Sequence, residues 1–340
     1  MSDVATTGRT DGAKGAAAPG PPGEELRLER HRRELTGYCY RMLGSAFEAE
    51  DAVQETMVRA WRALGRFEGR SSLRSWLYRI ATNVCLDMLG GSRRRARPMD
   101  LSSPSGADLP PGPALPEAAW VEPAPDSRVL PEGGDPAETA VARESVRLAF
   151  VAALQYLPPR QRAVLILREV LSWRASEVAE LLGTTVASVN SALQRARSTL
   201  AASDVSVTGR TDALDEEQRA LLARYVSAFE AYDLDALTSV LRDDATLSMP
   251  PYELWLRGHA DIRAWLLGHG VGCRGSRLVP VAANGCQGFG QYRPEPDGGF
   301  RPWALQVIEV SGGRISGINA FLDTARLFPL FALPSTLGPR

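Results

Sequence analysis

Lysine is almost absent from this chain of 340 residues: Lys14 is the only one, so nearly all positive charge is carried by arginine. Cysteine is scarce as well. Cys39, Cys85, Cys273 and Cys286 show no CxxC spacing, which argues against a structural zinc site. A chain this long has no need of a disulfide framework, so the four are expected to be free, buried thiols in a reducing cytoplasm. No apolar run reaches the roughly 18–20 residues that span a bilayer. Met1 to Gly23 lacks the cationic flank and apolar core of a secretory signal. Its Gly, Ala, Pro and Thr content reads as a disordered tail (1–23). Neither a metal nor a cofactor is expected.

The chain does have an uneven distribution of charge. Hydrophobic residues at 44% and charged residues at 23% are ordinary for a globular protein, and the length suits two or three compact units. The net charge of −1 hides an asymmetry. Glu24 to Arg97 holds fifteen arginines against ten acids, and Glu138 to Leu200 holds eight against five. Between them Pro98 to Pro136 carries a net −6, and Asp212 to Arg340 carries −3. Two basic blocks, an acidic linker and an acidic C-terminal unit suit a polyanionic partner for the basic blocks alone.

Periodicity separates the units further. In Ala49 to Leu64 the apolar residues Val53, Met57, Ala60, Trp61 and Leu64 recur every three or four positions, which predicts a helix with these on its inner face. A short break at Gly65 to Ser72 follows. Leu73, Trp76, Leu77, Ile80, Ala81, Val84 and Met88 then form a second helical stripe, ending at Gly90-Gly91 ahead of Arg93, Arg94, Arg95 and Arg97. Residues 24–97 form one helical domain. Residues 98–136, rich in Pro, Gly, Ser and Ala, read as a flexible linker. Within it Ala119 to Pro125 is a candidate to dock on a neighbouring domain, because Trp120 is costly to leave in water.

Residues 137–201 are helical again, with Pro158-Pro159 closing one helix and opening the next. Ser172 to Leu182, the turn Gly183-Thr-Thr185 and Val186 to Leu200 have helix-turn-helix spacing. Ser172 or Ser176 is positioned to cap the first of these helices. On the second, Val186, Val189, Leu193, Ala196 and Leu200 face the core, leaving Ser188, Asn190, Ser191, Gln194, Arg195 and Arg197 outward. Asn and Gln suit adenine edges, Arg suits guanine, and Arg197 suits a phosphate.

A second linker is expected at 202–214. A helix over Asp215 to Leu241 then gives way to short alternating runs such as Trp303 to Val310 and Arg314 to Phe321, which read as strands of a curved sheet. Helices first and sheet later predict an α+β domain over 215–330, with a tail at 331–340. The fold class is therefore multidomain: two all-α helical domains followed by an α+β domain.

Ala49–Leu64, the loop Arg66 to Ser72 and Leu73 to Asn83 resemble region 2 of the sigma-70 family, in its extracytoplasmic-function group. Leu157-Pro-Pro-Arg-Gln-Arg-Ala-Val-Leu165 and the helix-turn-helix resemble region 4. The resemblance implies that Asp51, Gln54 and Glu55 dock on core RNA polymerase. It also implies that Phe67, Glu68, Gly69, Arg70, Ser71 and Ser72, with Trp76 and Asn83 beneath, capture a base flipped from the promoter's minus-10 element. Arg93, Arg94 and Arg95 would hold phosphates there. Ser188, Asn190, Ser191, Gln194, Arg195 and Arg197 would contact the upstream (minus-35) element. Members often carry arginine or aromatic residues where this chain has Asn190 and Gln194, so promoter preference does not carry over. No region 1 or region 3 is visible, as in the minimal two-domain group.

Residues 216–328 resemble a SnoaL-like cone of curved sheet and helices, through Tyr225 to Leu237, Asp244 to Pro251 and Gly258 to Ile262. Sigma factors with such an extension form a subset, and Trp120-Val-Glu-Pro123 resembles its linker motif. The resemblance implies an attached regulator in contact with the sigma domains. A pocket formed by Tyr225, Trp255, His259, Asp261, Trp303 and Asp323, able to sense a small molecule or move a proton, is the alternative.

Overall fold

The computed structural model describes residues 22–91, 94–133, 135–202, 216–296 and 298–339. The linker expected at 202–214 falls almost entirely outside them, as does the N-terminal tail up to residue 21. Among the described residues no helix is long and apolar enough to cross a membrane.

The first helical unit consists of α1 (Pro22–Glu29), α2 (Arg32–Leu43), α3 (Ala46–Ala63) and α4 (Leu73–Leu89). Ser45 starts α3 by accepting the Glu48 N–H, and Ser72 starts α4 by accepting the Ser75 N–H at 3.0 Å. Leu35, Tyr38, Val53, Met57, Leu77 and Ala81 fill the space between the helices. Trp61, expected in this core, is instead 38% exposed. The buried stripe of α3 runs through Val53, Met57 and Ala60, and position 61 lies about 100° further round the helix.

The segment expected to be a flexible linker is packed. It contains a short helix, α5 (Asp126–Val129), and buries Trp120, Val121, Ala124 and Val129. Its backbone bridges Ala96, whose N–H bonds Ala119 O at 2.8 Å and whose carbonyl accepts from Val121 at 3.0 Å. Composition predicted solvation, but the apolar residues scattered among the prolines find a continuous apolar surface to cover.

The second helical unit comprises α6 (Pro136–Glu144), α7 (Leu148–Leu154), α8 (Pro159–Leu165), α9 (Ala175–Leu182) and α10 (Val186–Ala202), with wider π-type turns over Ile166–Val170. It packs directly on the first unit. Tyr78 of α4 meets Trp173 with ring centroids 5.0 Å apart, and Arg74 lies over both rings.

The C-terminal unit opens with α11 (Glu216–Ala231) and α12 (Leu234–Val240). The single helix expected over 215–241 is broken at Tyr232, whose φ of 55° ends α11, and Asp233 caps α12 by accepting from Asp235 and Ala236. There follow β1 (Leu241–Ser248), β2 (Trp255–Arg257), α13 (Gly258–Leu267), β3 (Arg277–Ala283), β4 (Cys286–Pro294), β5 (Phe300–Ser311), β6 (Arg314–Phe321) and α14 (Thr324–Leu330). The strands form one sheet in the order β2-β1-β6-β5-β4-β3, antiparallel except for the β1–β6 pair. Register breaks at Leu241/Thr246, Gln291/Tyr292 and Glu309/Val310 bend it, as a curved sheet requires.

The two faces of this sheet have different partners. One is covered by α11, α12 and α13 through Tyr225, Phe229, Leu237, Ile262 and Trp265. On the other, Tyr292, Leu305, Val307 and Phe321 join a core that runs through α14 and the linker into both helical units. Residues 331–340, expected to be a tail, contribute to it. Phe331 and Leu333 are buried, and Leu337 exchanges two backbone hydrogen bonds with Phe300. All four cysteines are free thiols, three buried and Cys286 half-buried.

Candidate nucleic-acid interface

The helix-turn-helix is built from local signals. Neither Ser172 nor Ser176 caps α9. Ser172 adopts a φ of 55°, and the Glu177 carboxylate accepts from the Arg174 N–H at 2.7 Å instead. Gly183 ends the helix at φ 62°, a left-handed conformation that costs a β-carbon-bearing residue energy. Thr185 Oγ1 then accepts from the Ser188 N–H at 3.2 Å. Along α10, Val189, Leu193 and Ala196 are buried, while Ser188, Asn190, Ser191, Gln194, Arg195 and Arg197 are exposed. Val186, expected in the core, is exposed because it precedes the first inward turn of α10. Arg197 pairs with Glu169 at 2.6 Å. The outer face therefore carries adjacent amide, hydroxyl and guanidinium groups, the set that reads base edges in a major groove.

In the first unit the loop between α3 and α4 is held up by one aromatic pair, Phe67 against Trp76, with centroids 5.0 Å apart and planes tilted by 37°. Glu68 and Arg70 pair with each other in solvent, either side of Gly69. Ser71 is half-buried, and Ser72, exposed, caps α4. Asn83 is exposed on α4, further from the loop. Asp51, Gln54 and Glu55 form an exposed strip on α3, where Glu55 pairs with Arg59 at 2.7 Å.

The arginine run does not behave as one group. Arg93 lies outside the described residues, and Arg94 lies over the Tyr156 ring at 3.6 Å. Arg95, expected to hold phosphate, is 6% exposed and turned inward. Its Nη1 donates to Trp120 O at 2.7 Å and Glu117 O at 2.9 Å, and its Nη2 donates to Glu48 at 2.6 Å. Two backbone carbonyls and a carboxylate already satisfy the donors a phosphate would use.

The six pocket candidates do not converge. Tyr225 is buried and donates to Gln306 Oε1 at 2.7 Å, and Gln306 in turn donates to Gln291 at 2.9 Å. Burial pushes the Tyr225 phenol well above its ordinary range. Trp255 Nε1 donates to Ser102 O at 3.0 Å, on the linker side. His259 Nε2 lies 3.4 Å from Leu241 O, and Asp261 sits in the first turn of α13. Trp303 is covered by Arg293, and Asp323 pairs with Arg326 at 3.4 Å. Of the six only Trp303 lines the void inside the sheet, which measures 30 Å³.

A second group of residues, not singled out by sequence reasoning, ties the three units together. Asn284, in the β3–β4 turn, is 0% exposed. Its Nδ2 donates to Tyr40 Oη at 2.5 Å and Val146 O at 2.7 Å, its Oδ1 accepts from Ala124 N at 2.9 Å, and its own N–H bonds Ala124 O at 3.1 Å. One turn thus touches α2, the linker and the connection between α6 and α7. Gly285 beside it admits no side chain, since a β-carbon would lie 2.7 Å from Arg143 O. Its N–H donates to Asp126 at 2.8 Å. Burial raises the Asp126 carboxyl to about 6, against the opposing pull of that N–H and of Arg143. Arg326 adds ion pairs to Glu117 and Glu122, and its guanidinium covers Phe47.

Family models match three stretches: Sigma-70 region 2 at residues 28–95, Sigma-70 region 4 at 147–200 and a SnoaL-like domain at 222–318. The chain is 48% identical over 320 residues to the ECF RNA polymerase sigma factor SigG of Mycobacterium tuberculosis, covering 91% of this chain and 83% of that protein. It belongs to the extracytoplasmic-function sigma factors. SigJ of the same organism is a second similar sigma factor, 26% identical over 87% of this chain and 90% of its own length. The crystal structure of SigJ shares the fold, with a TM-score of 0.57 over 92% of this chain and 99% of that one at 23% identity. The first helical unit is thus region 2, the second is region 4, and the C-terminal unit is the SnoaL-like domain of a transcription-initiation factor.

Proposed function

We propose that region 2 of this sigma factor docks on core RNA polymerase through Asp51, Gln54 and Glu55 and opens the minus-10 element with the Phe67–Ser72 loop. The half-buried Phe67–Trp76 pair at the base of the loop supports this reading, because a flipped base needs an aromatic platform. Asn83 and Arg94, both exposed, are assigned to the same promoter element. Asn190, Ser191, Gln194 and Arg195 of α10 read the upstream element, with Ser188 and Arg197 at the phosphates. Polymerase and promoter DNA are its partners, and the cytoplasm is its place of work.

The SnoaL-like domain acts as a built-in regulator by clasping regions 2 and 4 together. The observation that carries this is Asn284, whose buried side chain and backbone bond Tyr40, Val146 and Ala124 at once. The clasped state is compact, with Tyr78 of region 2 and Trp173 of region 4 at 5.0 Å. The two promoter elements lie roughly 25 base pairs apart, about 85 Å at 3.4 Å per pair. Engaging both requires the regions to separate, and the clasp opposes that. Catalysis is the weaker reading: a void of 30 Å³ holds about one water, against the roughly 300–1,000 Å³ of small-molecule sites. The test is runoff transcription with core polymerase and the full chain carrying Asn284→Gly. Higher output from the variant is expected, and unchanged output would overturn the regulatory reading.

A further inference from the structure

Beside the clasp lies an open groove of 770 Å³ between linker residues 115–123 and the rim of the SnoaL-like domain. Its volume, unlike the void inside the sheet, is within the range that accepts drug-sized ligands. Leu115, Pro116 and Trp120 form the linker wall, and Tyr252, Phe321 and Leu327 form the domain wall. A main-chain hydrogen bond joins the walls, from Leu115 N to Pro251 O at 2.9 Å. The charged groups lining the groove are all of one sign: Glu117, Glu122 and Asp323. All three carboxylates converge on a single nitrogen, Nη1 of Arg326, with Glu122 at 3.1 Å, Asp323 at 3.4 Å and Glu117 closer still. Arg95 reaches Glu122 only at 3.7 Å while bonding Glu48 at 2.6 Å. Two guanidiniums thus serve four carboxylates. Burial still holds the Glu122 carboxyl above its ordinary range, despite both arginines.

We propose that this groove binds a small amphiphilic organic cation: an apolar or aromatic body carrying a protonated amine. The ammonium sits between Glu117 and Asp323, and the body lies against Leu115, Pro116 and Tyr252. The unbalanced carboxylates select the sign of charge, the apolar walls take the body, and the volume sets the size. An anion would meet three carboxylates and an arginine they already share. Because it touches linker and domain together, such a ligand bears on the clasp. That consequence rests on the regulatory reading above, whereas the binding does not.

Calorimetric titration of the full chain with three probes of one body tests the site: 4-phenylbutylamine, 4-phenylbutanol and 4-phenylbutyrate. The amine is expected to bind at least about tenfold more tightly than the alcohol, a difference of about 1.4 kcal/mol, with the carboxylate weakest. The double variant Glu117→Gln, Asp323→Asn should bring the amine down to the affinity of the alcohol. The alcohol's own affinity should stay unchanged and so serve as the control for folding. Equal affinities for the three probes, an amine affinity insensitive to the double variant, or no binding of any probe would overturn the proposal. Amine binding that leaves runoff transcription unchanged would support the site and count against the regulatory reading.

Discussion

The outer face of α10 and the interior of the clasp use the same residue types in opposite ways. Asn190 and Arg195 stand in solvent, whereas Asn284 and Arg95 are enclosed. The difference lies in what surrounds them. Around Arg95 the chain's own carbonyls and carboxylates replace water, and around Asn284 a phenol and the backbone of Ala124 and Val146 do so. Around Asn190 and Arg195 the described residues build no such shell, and both side chains face outward, as the proposed reading of DNA requires. A polar side chain is therefore a reader or a rivet according to the acceptors its own fold supplies. Substitutions on the two surfaces should separate accordingly, with function lost at constant stability on α10 and stability lost first in the clasp.

The largest effect should come from Arg95→Ala, which strands Glu48 and the Trp120 and Glu117 carbonyls. Denaturant unfolding should show a loss of about 3 kcal/mol. A loss below about 0.5 kcal/mol would make Arg95 a surface cation after all. Asn284→Gly keeps the left-handed backbone available and removes only the side chain. About 2 kcal/mol of lost stability is expected from the orphaned partners, together with faster hydrogen exchange at Ala124, whose N–H loses its acceptor. Arg195→Ala should reverse the pattern. Upstream-element discrimination should fall by about 1–3 kcal/mol, with melting temperature and polymerase affinity unchanged. A shifted melting curve would blur the contrast between the two surfaces.

Asp126 gives a smaller, pH-dependent effect. Its folded value of about 6 lies above the ordinary 3.8, so the clasped state favours the protonated form. Its contribution is full below about pH 4 and is lost as pH rises through about 6. Hydrogen exchange at Gly285 should quicken across that window, and Asp126→Asn, which can still accept that N–H, should flatten the profile. The same slope in the variant would assign the titration to another group. The smallest effect belongs to Arg197→Ala, which breaks an exposed pair worth less than about 1 kcal/mol and should lower the salt slope of DNA binding by about one.

The α10 face was legible in the sequence because helical periodicity reports burial directly: the inward positions Val189, Leu193 and Ala196 leave only one way for the polar residues to point. The clasp was not, although its local signs were present. Asn284-Gly285 is a turn signature and Trp120 is out of place in a linker, yet their partners lie up to 244 residues away in sequence. Arginine runs are equally uninformative about direction, since Arg94 and Arg95 are neighbours in sequence and differ only in what the fold brings to them. The Pro- and Gly-rich composition of 98–136 predicted flexibility because composition averages over positions, while docking depends on a few apolar ones. In the SnoaL-like domain, Tyr225 and Trp255 drew notice as pocket aromatics, but chain-internal acceptors take up their polar atoms.

The central claim is that the SnoaL-like domain holds regions 2 and 4 together. A distance measurement between a label on α4 and a label on α10, in the full chain and in the Asn284→Gly variant, tests it most directly. One short, narrow distance is expected in the unaltered chain and a longer, broader distribution in the variant, accompanied by higher runoff transcription. Identical distributions in the two proteins would contradict it.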